Sequence, residues 1–453
     1  MLLDFQVENF RSYHSPKLFS LVASRQEDLP ENLMDAKDFG LRVLRSAAIY
    51  GANASGKTNL FHAIWALGSM IRMAPDVFRS QTDIWPPVFA LTDSAINKPT
   101  RFEINFLAHA GDDGAWTRYE YHIGVLGGRV VEEWLNAYPA GGKRQRWFVR
   151  EPADSVPANI KFSKYVKGAH EKLKDVTPPE MPFLFAAQRF GNPQLSIPAK
   201  WIQRNCDNQF ELVRRSTTAQ LDGDPSFNAW VSEFMRHADL GIQEARVELH
   251  EMSPEEIAAT YPPRHLPSFQ PIYQERVSFL HKREGGAPIR LEWSAESEGT
   301  HRLFGLLGPL RIALRDGLLL LVDEMIASMH PLLTSRFIEA FHDPKVNTKG
   351  AQLVLTTHDV SLLRGDLFRR DQVWFTEKSP AGETDLYSLH KFQPRPDASL
   401  EKNYLAGRYG GIPFLGTLNF GSADGEKEGQ EGRKAKARPR LRKTNTGSAE
   451  TGA

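Results

Sequence analysis

One cysteine, Cys206, stands among 453 residues. Alone it forms neither an internal disulfide nor a zinc site, and it reads as a small buried apolar residue in a reducing compartment. Long apolar runs are missing as well. The longest, residues 303–310 and 317–322, fall far short of the roughly 20 residues a membrane helix needs. The N-terminus carries Asp4 and Glu8 where a secretory leader would be apolar, so the chain is read as cytoplasmic with no membrane partner. No long coiled coil fits the middle of the chain, because Pro152, Pro157, Pro178, Pro179, Pro182, Pro193 and Pro198 would each break or bound a helix. An excess of one charge is absent overall: 56 Lys and Arg meet 55 Asp and Glu, for a net charge of +1. That balance hides an uneven distribution. Residues 421–453 hold 8 basic and 5 acidic side chains, which leaves the rest of the chain at −2, and residues 433–443 place 7 cations in 11 positions. Such a run is either a solvated end or an electrostatic contact for nucleic acid.

What is present is a folded composition, 41% hydrophobic and 25% charged, long enough for two or three domains at roughly 100–200 residues each. An apolar strand over residues 2–7 opens the chain, and a second over 47–50 leads into GANASGKT, Gly51 to Thr58. Beyond it Leu60, Phe61, Ile64 and Leu67 recur at the spacing of one helix face. Strand-like segments at 101–106, 146–150 and 245–249 mix with helical ones in the middle. From residue 297 the pattern is regular: a capped helix to about 314, a strand over 318–322, a helix after Pro331, and strands over 352–356 and 372–375. This alternation marks an α/β fold, a mostly parallel sheet covered by helices. The Gly- and charge-rich end from residue 421 reads as disordered.

A strand, the loop Gly51-Ala52-Asn53-Ala54-Ser55-Gly56-Lys57-Thr58 and a helix continuing at Asn59 meet the requirements of a phosphate-binding P-loop. Gly51 and Gly56 permit the tight turn that aims successive amides, and the positive end of the helix, at a phosphate chain. Lys57 is then expected to reach the β- and γ-phosphates of ATP, and the Thr58 hydroxyl to ligate Mg²⁺. The apolar run 318–322 ends in Asp323 and Glu324, at the strand end where α/β proteins bind ligands. Asp323 is expected to hold Mg²⁺ through a water, and Glu324 to orient and polarise the attacking water. Taken alone, the same pair reads as solvated carboxylates capping a strand. Lys57 and Asp323 lie 266 positions apart, so a large segment is inserted between the two elements.

The order of P-loop, long insertion, short polar-glycine motif, apolar strand ending Asp-Glu and strand ending in His resembles the ABC, SMC and RecF class of ATPases. The resemblance implies an ABC/SMC-type P-loop ATPase head with a large mixed α+β insertion between P-loop and signature motif. The corresponding map is a head N-terminal lobe over 1–75, an inserted lid or partner-binding region over 76–290, a head C-terminal lobe over 291–420 and a disordered basic tail over 421–453. Ser297-Glu298-Gly299-Thr300, 26 residues before Asp323, stands where that class holds its signature, which faces the γ-phosphate on the other subunit of a dimer. A serine hydroxyl and free helix amides, with Gly299 allowing close approach, suit an anion; alone, Ser297 is an ordinary N-cap. His358, closing the strand 352–356, corresponds to a switch histidine that senses the γ-phosphate, although a lone histidine there is also a common structural residue. Ser328-Met329-His330-Pro331 corresponds to the D-loop on the dimer seam, and Pro331 equally suits a first helical position. Glu8-Asn9-Phe10-Arg11-Ser12-Tyr13 resembles the opening motif of SMC- and RecF-like proteins, which puts Arg11 near the nucleotide; otherwise it is a surface arginine in a turn. Gln81 is poorly placed for a Q-loop glutamine, and none is assigned.

Residues 368–378, 386–389 and 404–415 are similar to the C-terminal pattern of the RloA-like AAA ATPases of prokaryotic antiphage defence loci. The resemblance thus covers about 1–75 and 290–416. It implies an ATP-hydrolysing sensor or regulatory subunit that assembles with itself, as a homodimer or higher ATP sandwich, and controls a separately encoded effector such as a Toprim-type nuclease. The 95 residues after His358 carry no acidic cluster or histidine pair of the kind a nuclease needs, so no nuclease of its own is expected. The alternative is a RecF-like DNA-binding ATPase of recombination or repair, for which the basic run 433–443 is the nucleic-acid contact. A transporter's nucleotide-binding subunit fits poorly, because the insertion is too long and the signature differs.

Overall fold

The computed structural model describes residues 1–73, 86–109, 115–151, 159–168, 170–207, 217–218, 221, 224–238, 241–253, 256, 273–324, 329–395 and 398–413. Two sheets organise them. The first is wholly antiparallel. It contains β1 (Leu2–Glu8), β2 (Lys17–Ser20) and, after a small hairpin of β3 (Leu33–Ala36) and β4 (Leu41–Leu44), receives β6 (Thr100–His109), β7 (Trp116–Leu126), β8 (Arg129–Pro139), β9 (Gln145–Arg150) and β10 (Ile160–Phe162) in the order β10-β9-β8-β7-β6-β1-β2. The second contains β5 (Ser46–Gly51), β14 (Leu319–Val322), β15 (Gln352–Thr356), β16 (Val373–Lys378) and β17 (Thr384–Ser388) in the order β14-β15-β5-β16-β17, parallel except for β17. A third sheet of β11 (Ile242–Glu251), β12 (Tyr273–His281) and β13 (Ile289–Glu292) precedes the helix that follows Ser297.

Helix α1 (Lys57–Arg72) links the two main sheets. Leu60, Phe61, Ile64, Leu67 and Ile71 are buried in a core shared with Phe5 and Val7 of β1 and Phe102 and Ile104 of β6. The period-two alternation of a strand decides which side of the parallel sheet meets this core. Ala47 and Ile49 of β5 belong to it, while Ala48 and Tyr50 belong to a second core on the opposite face. That second core takes in the helices Glu298–Asp316 and Pro331–His342. With both faces covered, β5, β14 and β15 are buried along their whole length and apolar at their centres.

Cys206 sits at the end of helix α2 (Pro193–Asn205), fully buried, and burial pushes its thiol up to about 12. Its carbonyl lies against Gly68 of α1, where a Cβ would collide with it. Pro193 opens α2, but Pro198 lies inside it, against the expectation that each proline would break or bound a helix. The buried face of Leu195, Pro198, Ala199 and Ile202 carries the helix across the missing hydrogen bond. No helix among the described residues is long and apolar enough to cross a membrane.

At the amino-terminal end of the parallel strands lies a closed polar cluster. Ser46, Asn32, His342, Gln352 and Gln372 are all buried. Gln372 Nε2 donates to Ser46 Oγ at 2.8 Å and its Oε1 accepts from Asn32 Nδ2 at 2.7 Å. Ser46 Oγ and His342 Nε2 are 2.7 Å apart, and burial, with Arg45 nearby, holds the His342 imidazole down to about 3. The ring is therefore held neutral. Gln352 accepts from the Leu2 amide at 2.5 Å and donates to the carbonyls of Leu2 and Leu44 at 3.0 Å, which ties the two main sheets together.

Candidate functional site

The opposite, carboxyl-terminal end of β5 turns at Gly51 into the loop before α1. Gly56 adopts a φ of 109°, open to glycine but strained for other residues, and a Cβ there would run into Thr384 and Ser12. Ala54 takes a left-handed φ of 59°, and Asn53 and Ala54 are exposed. The result is a loop folded tightly on its sheet, with the free amides of the α1 N-terminus at its mouth. Lys57, 3% exposed, folds back so that Nζ donates to the carbonyls of Gly51 and Ala52 at 3.0 and 3.2 Å.

Two strands away β14 delivers Asp323 and Glu324, and β15 delivers His358. Lys57 Nζ is 3.0 Å from His358 Nε2 and 3.6 Å from Glu324 Oε1, and His358 Nε2 is 3.2 Å from the same carboxylate oxygen. Three side chains separated by 301 residues of chain thus meet at one point. Burial lowers the Lys57 pKa, and the Glu324 and Asp323 carboxylates pull it back up. Glu324 is half exposed and takes a left-handed φ of 45°. Asp323 Oδ1 accepts from the Thr356 hydroxyl at 2.6 Å, and the same hydroxyl accepts from the Glu324 amide at 3.0 Å.

A second set of hydroxyls braces the loop from behind. Asn59 Nδ2 donates to Ser12 Oγ at 2.8 Å, Ser12 lies 2.7 Å from Thr384 Oγ1, and Thr384 donates to the Ser55 carbonyl at 2.8 Å. Ser55 Oγ is 2.6 Å from Thr376 Oγ1, and Tyr13 donates to the Gly56 carbonyl at 3.0 Å. Arg11 joins this set through Asn59 Oδ1 at 3.5 Å, at a left-handed φ of 48°. Ser12 and Thr356 had a visible signal, being the neighbour of Arg11 and the first threonine of the TTH triplet. Thr376 and Thr384 had none, because their role depends on β16 and β17 passing beside the loop.

The oxygen donors present suit a magnesium ion. Among the described residues Asp323 Oδ2 has no hydrogen-bond partner, and the half-buried Thr58 hydroxyl stands in the first helical turn. Among the described residues no cluster of three His, Cys, Asp or Glu could hold a metal. A site with one or two protein oxygens is what an ion shared with substrate phosphates requires.

Ser297 to Thr300 are not part of this assembly. No hydrogen bond or ion pair among the described residues joins them to the loop 51–58. Ser297 caps the helix Glu298–Asp316, accepting from the Thr300 amide at 3.1 Å, Glu298 pairs with Arg302 at 2.5 Å, and both Ser297 and Glu298 are exposed. Pro331 opens the helix Pro331–His342 behind His330, with Met329 buried, while Ser328 lies outside the described residues, as do Gln81 and the tail 421–453.

Residues 177–364 match the protein family described as "AAA domain, putative AbiEii toxin, Type IV TA system". No curated protein matches the chain. Among solved structures it is similar to the SMC head domain from Thermotoga maritima, at 13% identity over 85% of this chain and 98% of that one, with a TM-score of 0.36. It is similar also to the Smc head domain with a coiled coil and joint from Pyrococcus yayanosii (11%, 87% and 99%, 0.40) and to the recombination mediator protein RecF-ATP (13%, 85% and 97%, 0.35). The P-loop strand lies inside a parallel sheet, α1 is held between that sheet and an antiparallel one, and a long segment separates the P-loop from the capped helix at Ser297. This is an α/β architecture, a mostly parallel sheet covered by helices with an antiparallel sheet beside it.

Proposed function

We propose that the chain binds ATP with Mg²⁺ at residues 51–59 and hydrolyses it. The observation that carries this reading is the meeting of Lys57, Glu324 and His358 at the mouth of the loop. The loop amides and the α1 N-terminus bind the phosphate chain, and Lys57 Nζ, already desolvated, turns from Glu324 to the γ-phosphate. Glu324 is thereby released to accept a proton from the attacking water. His358 Nε2, on the same point, holds a γ-phosphate oxygen and registers its departure. Thr58 and Asp323 would hold Mg²⁺, which neutralises charge developing on the phosphate oxygens. Lys57→Ala should abolish binding of ATP; normal turnover by that variant overturns the site assignment.

In this reading two copies sandwich two nucleotides, each loop facing the Ser297-Glu298-Gly299-Thr300 turn of its partner. Supporting it, Ser297 and Glu298 of that turn are exposed, and no hydrogen bond among the described residues joins it to its own loop. Glu324→Gln with Mg-ATP should run as a dimer or larger species in size-exclusion chromatography, and a monomer alone would count against the sandwich. The assembly acts as the sensor or regulatory subunit of an antiphage defence system and controls a separately encoded effector, with 76–290 as its partner-binding region. The RloA-like C-terminal pattern supports this, as does the "Type IV TA system" of the matched family. Co-expression with neighbouring gene products should yield a complex whose stability changes with ATP; no such complex would leave the regulator reading without an object. The RecF-like alternative is favoured by one observation, the run of 7 cations in residues 433–443. Removing 421–453 should then weaken duplex DNA binding and flatten its salt dependence; unchanged binding excludes the tail.

A further inference from the structure

Thr356 ends β15 with no exposed surface, and its hydroxyl has two partners on the far side of the β14–β15 pair. The Glu324 amide can only donate, so at 3.0 Å the Thr356 oxygen is its acceptor. The hydroxyl proton is then left for Asp323 Oδ1 at 2.6 Å. Both roles of the group are fixed. One side chain fixes the rotation of the Asp323 carboxylate through Oδ1 and pins the main chain of Glu324 in its left-handed conformation with a φ of 45°. The neighbouring threonine works separately: Thr357 Oγ1 accepts from the Asp359 amide at 2.9 Å and shapes the turn that carries His358. Of the two adjacent hydroxyls, one therefore serves the acidic pair and the other the histidine.

We propose that Thr356 is a positioning residue for ATP hydrolysis, coupling the orientation of the metal-side carboxylate of Asp323 to that of the water-activating carboxylate of Glu324 through one hydroxyl. The proposal rests on the ATPase reading of the site. Threonine suits the task because its branched side chain is held in few rotamers on a strand, so the hydroxyl is aimed before any ligand arrives. Groups behind a ligating or reacting carboxylate typically contribute 10- to 100-fold.

The test compares Thr356→Val, which keeps shape and removes both bonds, with Thr356→Ser, which keeps the hydroxyl. Turnover at saturating ATP should fall by about 10- to 100-fold in the valine variant and stay within about threefold in the serine variant. Binding of a fluorescent N-methylanthraniloyl ATP should be unchanged in EDTA, while the Mg²⁺ concentration needed for tight binding rises several-fold for valine only. Wild-type turnover and Mg²⁺ dependence in Thr356→Val would overturn the proposal, as would equal impairment of the serine and valine variants. If Thr356→Val does not fold, Thr356→Cys, whose thiol is a poor donor and acceptor, makes the same comparison. Lys57→Ala measured alongside separates the two readings: nucleotide binding unaffected by that change would sink the ATPase site itself, and this proposal with it.

Discussion

The two ends of the parallel sheet both carry hydrogen-bonded polar side chains, and use them for opposite purposes. At the amino-terminal end Ser46, Gln372, Asn32, Gln352 and His342 are buried and bonded to one another or to the main chain. At the carboxyl-terminal end Thr356, Asp323, Glu324, Lys57 and His358 form a comparable set of bonds, but Glu324 and His358 are 49% and 39% exposed. A closed network holds strands in register and offers nothing to a ligand. An open one keeps acceptors at the solvent boundary, where a phosphate can exchange for a carboxylate. The difference lies in water access and in charge: the closed end holds amides, a hydroxyl and a neutral imidazole, the open end Lys57, Asp323 and Glu324.

That contrast can be broken from either side. The largest effect is expected for Lys57→Ala, which should leave no measurable ATP binding in a fluorescence titration and no turnover, with the melting temperature little changed. Glu324→Gln should retain binding while steady-state hydrolysis falls by about 10² to 10⁴, the usual worth of a general base. At the closed end Gln372→Leu should do the reverse. It strands the Ser46 and Asn32 partners, costs roughly 2–4 kcal/mol of stability in denaturant unfolding, and leaves turnover per folded molecule nearly unaltered. The smallest effect at neutral pH belongs to His342. Its folded pKa, about 3, lies below the ordinary 6.5, so the unfolded chain takes up a proton that the folded chain refuses. Stability from this group is intact above about pH 6.5 and is lost as pH falls toward 3, up to about 5 kcal/mol in full. Thermal unfolding of His342→Leu from pH 7 to 4 should slope less than wild type. An unchanged slope would mean that the ring is not held neutral.

Much of this architecture was legible because the relevant physics is local. Glycines at 51 and 56, the three- and four-residue spacing in α1, and apolar runs ending in Asp323-Glu324 and His358 each announce themselves within a dozen residues. The expected strand over 318–322 is Leu319–Val322, that over 352–356 is Gln352–Thr356, and the one over 372–375 is Val373–Lys378. What stayed hidden is long-range. Nothing near residue 100 states that β6 pairs with β1, or that much of the region after the P-loop extends the sheet that β1 begins. The hydroxyls of Thr376 and Thr384 look like ordinary strand residues until the loop is placed against them. Pro198 misleads because its helix is stabilised by burial against α1, which outweighs the local break.

The pairing of β5 carries a consequence for synthesis of the chain. Its partners on the two sides are β15 and β16, which begin at Gln352 and Val373, more than 300 residues downstream of Ser46. While the nascent polypeptide is shorter than that, the strand that ends in the P-loop has neither hydrogen-bonding neighbour, and its six residues, all buried in the finished protein, have no sheet to enter. The proposed nucleotide site therefore cannot exist on a growing chain until most of it has left the ribosome. Assembly must wait on contacts of very high sequence separation, the kind that slow folding and prolong exposure of apolar strands. A premature stop before β15 would yield a product with a complete P-loop sequence and no place to bind a phosphate.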